Sequence, residues 1–316
     1  NFVGSNNINL FMPKGQFGTR INGGNDHASP RYIYTELNTI TRLIYDPDDD
    51  DLLKYLDADG FRIEPEYYVP IIPMILVNGA LGIGTGYSTY IPKFNPTDII
   101  EILLDRLQGI RTKKELHPWY GGFTGEITKV SNFIYNCKGK YSINGSQLII
   151  TELPIGTWTE NYKSYLENTL MNDRMKGLIS KIKNNSDDNR IEFIVKFKNA
   201  DDLNKINIEK TFALESKINL ENMYLHDQNG GIKKYSSADE IINEFYDIRL
   251  IHYDKRKKYM LAQLEKEINI LSSKLKFIEM VISDNTIFKL AKDDIVKLLD
   301  KKKLCKEDNQ EIKSEN

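Results

Sequence analysis

Apolar residues recur at helical spacing in several separate stretches of the chain. The first stretch follows Ser29 and Pro30, which suit the N-cap and the first position of a helix. Its apolar positions are Ile33, Leu37, Ile40 and Ile44. This pattern predicts a helix that buries one face, with Tyr32 in the first turn and off that face. A second helix is predicted after Asn95, with apolar positions at Ile99, Ile102, Leu103 and Leu107.

The middle of the chain, from about residue 117 to 235, mixes strand and helical patterns. Residues 141–152 and 190–197 alternate apolar and polar side chains, which predicts half-buried strands. Two helical stretches lie in the same region. The run 184–189 is polar and predicts a loop before the second strand.

The last segment is predicted to be one long helix. Its apolar positions alternate by three and four as a heptad seam, at Leu261, Leu264, Ile268, Leu271, Leu275, Ile278 and Ile282. A similar stripe begins upstream at Ile241, Phe245 and Ile248. The basic run 255–258 is interpreted as a solvated helix face, with DNA contact as the alternative. After Asp284 the pattern weakens, and residues 301–316 are polar enough to fray.

Composition narrows the class of protein only slightly. The 316 residues carry 43 Lys plus Arg and 45 Asp plus Glu, so net charge does not indicate a polyanionic partner, although a local basic face can still bind one. Cys137 and Cys305 fit neither a disulfide framework nor a zinc site, which favours a reducing compartment. No apolar run is long enough to suggest a membrane span. Because the chain begins without Met, we expect it to be a piece of a longer polypeptide.

Two other motifs are considered and set aside. The acidic runs 46–51 and 57–60 lack the spaced ligands of a calcium loop and are interpreted as solvated turns. The glycine-rich run 79–86 half-matches a dinucleotide-binding fingerprint. The residues after it, 87–92, do not begin a helix, so that fold is rejected.

Tyr32 directly follows Arg31, and this pair carries candidate chemistry. A phenol is a weak nucleophile at neutral pH, because its pKa is near 10. A guanidinium, a helix N-terminus and a metal-bound phosphate would each favour the charged transition state of an attack on a phosphodiester. The alternative is an amphipathic helix with Tyr32 and Tyr34 packed at its base.

Seven sequence blocks, in order along about the first 260 residues, carry a family resemblance. They are Phe2-Val3-Gly4-Ser5-Asn6-Asn7, Gly15-Gln16-Phe17-Gly18-Thr19-Arg20, Pro30-Arg31-Tyr32-Ile33-Tyr34-Thr35, Pro73-Met74-Ile75-Leu76-Val77-Asn78-Gly79-Ala80-Leu81-Gly82-Ile83-Gly84-Thr85-Gly86, Pro118-Trp119-Tyr120-Gly121-Gly122-Phe123, Glu152-Leu153-Pro154-Ile155-Gly156-Thr157-Trp158 and Arg249-Leu250-Ile251-His252-Tyr253. Together they closely resemble the breakage-reunion region of eukaryotic type II DNA topoisomerases.

The resemblance implies an α+β fold in three parts. Residues 1–70 would be the C-terminal part of a winged-helix domain that carries the nucleophilic tyrosine. Residues 71–235 would be a mixed α/β tower domain with a DNA-wedge loop, whose Lys and Arg residues contact phosphates. Residues 236–316 would be a coiled-coil helical arm that stops before the exit gate of the dimer.

The resemblance also implies site residues. Tyr32 matches the nucleophile and Arg31 its electrostatic partner. Ile83, flanked by Gly82 and Gly84, matches an isoleucine that wedges between base pairs; the alternative is a buried loop residue. The remaining candidate DNA-binding residues are Arg20, Gln16 and His27, and no metal ligand is expected in this chain.

Three positions depart from the family pattern. Asn25 stands where a lysine is common, which removes one charged phosphate contact. His27 replaces a small residue; it can hydrogen-bond the phosphate or accept the proton of Tyr32, or serve only as a surface or capping group. Leu81 replaces an acidic residue, which changes the local contact with DNA or with inhibitors.

The activity implied by the resemblance is that of an ATP-dependent type II topoisomerase. Such an enzyme breaks double-stranded DNA through a 5′-phosphotyrosyl link, passes a second duplex and religates. The implied enzyme uses Mg²⁺ and ATP, both bound by regions absent from this chain, and is a nuclear homodimer that serves chromosome segregation, without a membrane partner. The alternative is a catalytically silent DNA-bending or dimer-scaffold module of the same fold. We expect the chain alone to be inactive, to bind DNA weakly and to dimerise poorly or not at all.

Overall fold

The computed structural model describes residues 5–84, 86–110, 114–284, 287 and 289–302. Residues 2–4 of the first family block, Thr85, Cys305 and the polar stretch 303–316 lie outside this described part. The chain divides into two compact units: Asn1–Pro47 with Tyr68–Arg249, and Asp48–Tyr67 with Leu250–Asn316. These units do not follow the three predicted ranges, and the assignment of those ranges to named domains stays a prediction.

The elements confirm the predicted α+β class. The strands are β1 (Tyr55–Ala58), β2 (Phe61–Pro65), β3 (Ala80–Gly84), β4 (Tyr87–Ile91), β5 (Glu126–Lys129), β6 (Ile134–Lys138), β7 (Lys140–Asn144), β8 (Gln147–Glu152), β9 (Ile179–Asn184), β10 (Phe193–Phe197), β11 (Glu215–Asn219), β12 (Met223–His226) and β13 (Ile232–Tyr235). The α-helices are α1 (Thr41–Ile44), α2 (Met74–Asn78), α3 (Pro96–Leu107), α4 (Thr159–Ser164), α5 (Asp201–Asn204), α6 (Ile208–Thr211), α7 (Ala238–Ser283) and α8 (Lys292–Lys301). Short 3₁₀ turns cover Pro30–Tyr32 and Pro47–Leu52, and a π-helix covers Tyr165–Arg174.

The strands pair antiparallel into small sheets. One sheet has the order β7-β8-β10-β9 and another the order β11-β6-β5, and β1-β2, β3-β4 and β12-β13 form hairpins. The predicted strands at 141–152 and 190–197 are confirmed as β7, β8 and β10. Their alternation fits the observed register, in which Leu148 pairs with Val195 and both are fully buried.

Two hydrophobic cores lie within the first unit. One is built around α2, α3 and the start of α7, and includes Leu76, Phe94 and Ile242. The other lies on the four-stranded sheet and includes Phe193 and Phe212. Apolar burial supplies the main driving force for folding. The two cores therefore stabilise the three-stranded and four-stranded sheets that pack on them.

The predicted helix after Asn95 is confirmed as α3. The Asn95 side chain accepts a hydrogen bond from the Thr97 backbone N–H at 2.9 Å, so Asn95 is the N-cap. Ile99 and Ile102 are fully buried, as their spacing predicts.

The predicted helix from Ser29 to Ile44 is wrong. The Ser29 side chain makes no capping hydrogen bond, and the 3₁₀ turn Pro30–Tyr32 ends at Ile33, which is extended with φ −108° and ψ 121°. Within the predicted range, α-helix forms only as the short α1, Thr41–Ile44. The residues after Ile33 pair with an upstream segment, since Met12 N–H donates to Glu36 O at 2.9 Å and Leu37 forms a bridge with Phe11. The β-branched Ile33 and Thr35 favour this extended backbone, and the apolar spacing did not reveal the pairing partner.

The long helix is confirmed as α7. Within the described residues of the second unit, the seven seam side chains are 50–76% exposed. No helix in the described part of the chain is long and apolar enough to cross a membrane.

The second unit contains a buried ion pair that corrects the sequence interpretation at Asp49 and Arg256, whereas Lys255, Lys257, Lys258 and residues 57–60 are exposed as predicted. Asp49, in the acidic run 46–51, is buried, and its Oδ1 accepts a hydrogen bond from Arg256 Nε at 2.8 Å. The side chains of Asp49 and Arg256 are only 5% and 15% exposed. Asp51 also accepts a hydrogen bond from the Tyr259 hydroxyl at 3.0 Å. Thus Asp49 is not in a solvated turn, and Arg256 does not lie on a solvated helix face.

Candidate active site

Tyr32 lies at the end of the 3₁₀ turn. Its backbone N–H donates to Ser29 O at 2.9 Å, and the Ile33 N–H donates to Pro30 O at 3.1 Å. Because the chain becomes extended after this turn, the side chains of Tyr32 and Tyr34 are 67% and 87% exposed. They are therefore not packed at the base of a helix, and the structural alternative for these tyrosines is wrong.

Arg31 stacks on the ring of Tyr32. Its guanidinium carbon lies 4.8 Å from the ring centroid, which is cation–π geometry. The stacked guanidinium keeps a permanent positive charge beside an exposed phenol. That charge favours an anionic group bound near Tyr32 and negative charge that develops during an attack by its oxygen.

The loop before the turn is folded tightly on itself at two glycines. Gly18 has φ +96°, and a Cβ there would lie 2.7 Å from the Gly24 Cα, so only glycine allows this approach. The Gly24 N–H donates to Thr19 O at 2.9 Å and the Ala28 N–H donates to Gln16 O at 3.0 Å. These contacts therefore constrain the backbone conformation of the loop that leads into the turn with Tyr32.

Asp26 joins the two sides of the same loop. Its carboxylate accepts hydrogen bonds from Thr19 N–H at 2.8 Å and from the Thr19 hydroxyl at 2.6 Å. The Thr19 hydroxyl bond, followed by the backbone bond, lowers the pKa of Asp26, because both bonds favour the ionised carboxylate. The Gln16 amide donates to Asp26 O at 3.0 Å, so the predicted DNA-binding residue Gln16 also has a structural role.

An open depression of about 510 Å³ lies beside the turn. Its lining includes Gly23, Asn25, His27 and Pro30. His27 Nδ1 lies 2.8 Å from the Ala28 carbonyl oxygen, which only accepts, so Nδ1 carries the proton. In the neutral ring Nε2 is then the acceptor, free of that contact and able to receive a hydrogen bond or a proton.

The segment that follows β8 packs against the loop. A Cβ on Gly23 would lie 2.4 Å from the ring of Trp158, so the indole rests directly on the glycine backbone. The Glu160 N–H donates to Ile21 O at 3.1 Å. Gly23 is thus required both by its φ of +60° and by the close approach of Trp158.

Arg20 forms an ion pair with Glu152 at the end of β8. The Arg20 side chain is 23% exposed and the Glu152 side chain 4%. The Glu152 carboxylate also accepts hydrogen bonds from the Thr124 N–H and hydroxyl, both at 3.2 Å, and from the Leu153 N–H at 2.9 Å. Arg20, predicted as a DNA-binding residue, is therefore held by a buried carboxylate.

Ile83 lies near the tip of the β3–β4 hairpin, where its side chain is 90% exposed. It is not a buried loop residue. Leu81, two residues earlier on the same face of β3, is 83% exposed. The facing strand β4 is held at the same level, because Ser88, which pairs with Ile83, accepts a hydrogen bond from Asn222 at 2.7 Å, and the rings of Tyr87 and Tyr224 lie 5.3 Å apart.

Glu152, Trp158 and Thr19 belong to sequence blocks that were recognised, but the sequence assigned them no role in the site. One signal for Glu152 was present. On β8 the buried positions alternate as Leu148, Ile150 and Glu152, so the strand pattern turns a carboxylate inward. An inward carboxylate requires a partner, but the strand does not show which residue provides it.

No group of three or more His, Cys, Asp or Glu suited to a metal ion occurs in the described part of the chain. The described side chains provide an exposed phenol, a stacked guanidinium and a shaped loop.

Comparisons with known proteins give a consistent family. The family of the A subunits of DNA gyrase/topoisomerase IV matches residues 1–313. DNA topoisomerase 2 of Saccharomyces cerevisiae is 47% identical over 286 residues, which cover 89% of this chain and 20% of that protein. Mitochondrial DNA topoisomerase 2 of Dictyostelium discoideum is 41% identical, over 95% of this chain and 23% of that protein.

A solved structure is similar over almost the whole chain. It is the Plasmodium falciparum topoisomerase II DNA-binding, cleavage and re-ligation domain, with a TM-score of 0.86 and 42% identity, covering 96% of this chain and 42% of that one. The chain spans about a fifth of the length of the two curated relatives named above. The resemblance to eukaryotic type II topoisomerases predicted from the sequence is confirmed.

Proposed function

The chain belongs to the family of DNA gyrase/topoisomerase IV A subunits, and we propose that it forms the DNA-cleaving and rejoining part of a type II DNA topoisomerase. The observation that carries this proposal is the exposed Tyr32 with the Arg31 guanidinium on its ring. An exposed phenol beside a fixed positive charge is suited to attack an anionic diester. The roles of the individual site residues are part of the proposal.

The reaction is an exchange of phosphodiester bonds. The Tyr32 oxygen attacks a backbone phosphorus, the bond from phosphorus to the 3′ oxygen breaks, and a 5′-phosphotyrosyl link forms. The phenol loses its proton, and the departing 3′ oxygen gains one. Rejoining is the reverse attack by the 3′ hydroxyl, so no external energy is needed to reseal the strand.

The residues around Tyr32 have separate roles in this proposal. Arg31 stabilises the charge on the reacting phosphate, and the depression beside the turn receives the DNA backbone. His27 accepts the proton of Tyr32 at Nε2 or donates a hydrogen bond to the phosphate. Asn25 contributes no charge there, which makes this phosphate contact weaker than a lysine would.

The β3–β4 hairpin is proposed to bend the bound duplex. Ile83 is exposed to solvent on a hairpin whose facing residue Ser88 is held by Asn222, so the side chain is suited to insert between base pairs. Gly82 and Gly84 carry no side chains that would keep the backbone from the groove. Unstacking one step costs a few kcal/mol, which the additional contacts of the bent duplex offset.

The remaining assignments concern the whole enzyme. We propose that Mg²⁺ and ATP are bound outside residues 1–316, that double-stranded DNA is the substrate, and that two copies of the same polypeptide work together. The ranges 1–70, 71–235 and 236–316 would be the winged-helix part, the tower and the coiled-coil arm. We propose the nucleus as the location, although one relative is named as mitochondrial.

The test uses a chimera in which this chain replaces the aligned segment of the yeast relative. With Mg²⁺ and plasmid DNA, denaturation should trap a covalent protein–DNA adduct. Tyr32→Phe should abolish the adduct and leave DNA affinity unchanged, because the ring remains and only the attacking oxygen is lost. Tyr34→Phe is the matched control, since Tyr34 is also exposed and lies two residues away.

Two outcomes would contradict the proposal. Adduct that persists in Tyr32→Phe would assign the attack to another residue. A chimera that binds and bends DNA but never forms adduct would indicate the catalytically silent DNA-bending or scaffold module.

A further inference from the structure

Glu152 is a buried carboxylate with several donors around it. The residue is 3% exposed, and it lies at the end of β8, the strand that pairs with both β7 and β10. Its carboxylate accepts three hydrogen bonds, two from Thr124 before β5 and one from Leu153 directly after β8. The carboxylate is therefore held at the end of β8 by Thr124 and Leu153, which lie outside the glycine loop, residues 15–28.

The fourth partner, Arg20, comes from the glycine loop itself. Its guanidinium bears the positive charge that compensates the buried carboxylate. Removing one member of such a pair leaves an uncompensated charge in a desolvated place. The loop is thus held against the end of β8 by the requirement to keep Arg20 beside Glu152.

A second contact fixes the same loop from the same side. Trp158, six residues after Glu152, lies on Gly23, and the Glu160 N–H reaches Ile21 O. The loop between these attachment points and Tyr32 has little freedom, because the Thr19–Asp26 bonds and the Gly18–Gly24 approach close it internally. A displacement at Arg20 is therefore transmitted to the turn that carries Tyr32.

We propose that Glu152 is a positioning residue for the cleavage reaction, which acts through Arg20 to hold the glycine loop and so place Tyr32 toward the DNA backbone. This inference rests on the proposed function of Tyr32. It adds a carboxylate that touches neither DNA nor the reacting atoms. Its effect follows from geometry, because a misplacement of about 1 Å can slow a reaction by about two orders of magnitude.

The first test follows the loop itself and needs no enzymatic activity. Hydrogen exchange in the 316-residue chain should show that Glu152→Gln speeds exchange in the loop by about tenfold or more. The affected amides are those of Thr19, Gly24 and Ala28, which are bonded within the loop. Exchange in α3 should be unchanged, which shows that the fold is intact. Unchanged exchange in the loop would overturn the inference.

The second test measures adduct in the chimera at saturating DNA. Glu152→Gln should lower the rate of adduct formation by about 10- to 100-fold, while DNA affinity changes little. Glu115→Gln is the control, because Glu115 is in an exposed ion pair with Lys129 in the same unit. Arg20→Gln combined with Glu152→Gln should be no slower than the slower single variant, since both remove one interaction.

The outcomes separate the two proposals. If the wild-type and Glu152→Gln chimeras form adduct at the same rate, the positioning role of Glu152 is overturned and the proposed function is unaffected. Additive effects of the two substitutions also overturn it, because Arg20 and Glu152 would then act independently. If the wild-type chimera forms no adduct, the proposed function is contradicted. The hydrogen-exchange experiment would still show whether Glu152 holds the loop.

Discussion

Arg31 and Tyr32 are adjacent in sequence, but adjacency alone does not make their side chains meet. The 3₁₀ turn does this, because it turns both side chains toward solvent and lets the guanidinium cover the phenol ring. A planar cation suits this stack better than an ammonium does, since it lies flat on the ring and still offers several donors. The pair is thus a positive charge and an exposed phenol in one turn, as the proposed attack by Tyr32 requires.

Substitution of Arg31 should separate the charge from the shape of the guanidinium. We expect Arg31→Ala to lose a charge-assisted contact worth about 1.5–3 kcal/mol in the closed complex, about 10- to 150-fold in the cleavage rate. Arg31→Lys should recover only part of this loss. The measurement is single-turnover adduct formation in the chimera.

The control is Arg62→Lys, because Arg62 lies 3.3 Å from the ring centroid of Tyr55 in the other unit. It should leave the cleavage rate unchanged. A full rate in Arg31→Lys would show that only the charge matters, and a full rate in Arg31→Ala would remove Arg31 from the site.

Among single residues, the sequence could point to candidate site residues that lie within a continuous sequence motif. Tyr32, Arg31 and Ile83 were proposed in this way, the structure shows that Tyr32 and Ile83 are exposed and that Arg31 lies on the Tyr32 ring, and their roles stay predictions. Glu152 was not, because its partner Arg20 is 132 residues away and strand periodicity reports only the direction of a side chain. Pairing across such a distance depends on the packing of elements and not on local pattern.

Among the elements, the failed helix after Ser29 is instructive. The prediction rested on apolar residues at helical spacing. In the structure the backbone is extended instead, because it pairs with the segment near Met12. The consequence reaches the site. Tyr32 is exposed because the chain after it is extended. It lies at the end of a 3₁₀ turn and not at a helix N-terminus, so no helix dipole favours a negative charge there. The positive charge beside its ring comes from Arg31.

The β3–β4 hairpin leads to a prediction about DNA bending. Ile83→Ala removes most of the exposed side chain and keeps the strand, so bending of a labelled duplex by the chimera should decrease, as should adduct yield. Fluorescence energy transfer between the duplex ends measures the angle. Ile143→Ala is the control, because Ile143 is also exposed on a strand. An unchanged angle in Ile83→Ala would exclude Ile83 as the wedge.

The Asp49–Arg256 pair leads to a prediction about stability. Asp49→Asn removes the buried negative charge beside the Arg256 guanidinium, so we expect the second unit to lose about 2–4 kcal/mol of unfolding free energy. The Arg256 side chain is 15% exposed, so water partly compensates its charge and reduces the loss. Chemical denaturation followed by circular dichroism of the helix measures the loss.

The matched control is the exposed ion pair of Lys54 and Glu66 in the same unit. Lys54→Gln should cause no resolvable change, because surface pairs contribute little. Equal stability of Asp49→Asn and the wild type would mean that the buried ion pair contributes no net stability to the second unit.

For the whole molecule, the order of the motifs was the most informative property of the sequence. Seven blocks in one order predicted the family and the α+β class, which composition and net charge could not do. The grouping of residues 48–67 with the helical arm was not predictable from local pattern. It depends on contacts such as Asp49 with Arg256, which join positions 207 residues apart.

The exposed seam of α7 leads to a prediction about oligomeric state. Each seam side chain is already partly covered by its own helix, so a dimer would bury only the remaining area. The apolar area still available to a partner is therefore only part of what full burial of these side chains would give. Association also has to overcome the loss of translational and rotational freedom of the two chains.

We therefore expect the 316-residue chain to sediment mostly as a monomer at low micromolar concentration. Leu271→Lys, which places a charge in the middle of the seam, should leave the sedimentation coefficient unchanged, because a monomer has no seam contact to lose. A concentration-independent dimer that Leu271→Lys dissociates would show that the seam itself is a dimer interface. In that case two copies of the chain would be joined along the arm before any other part of the enzyme contributes, and the arm would supply the main dimer contact instead of the exit gate.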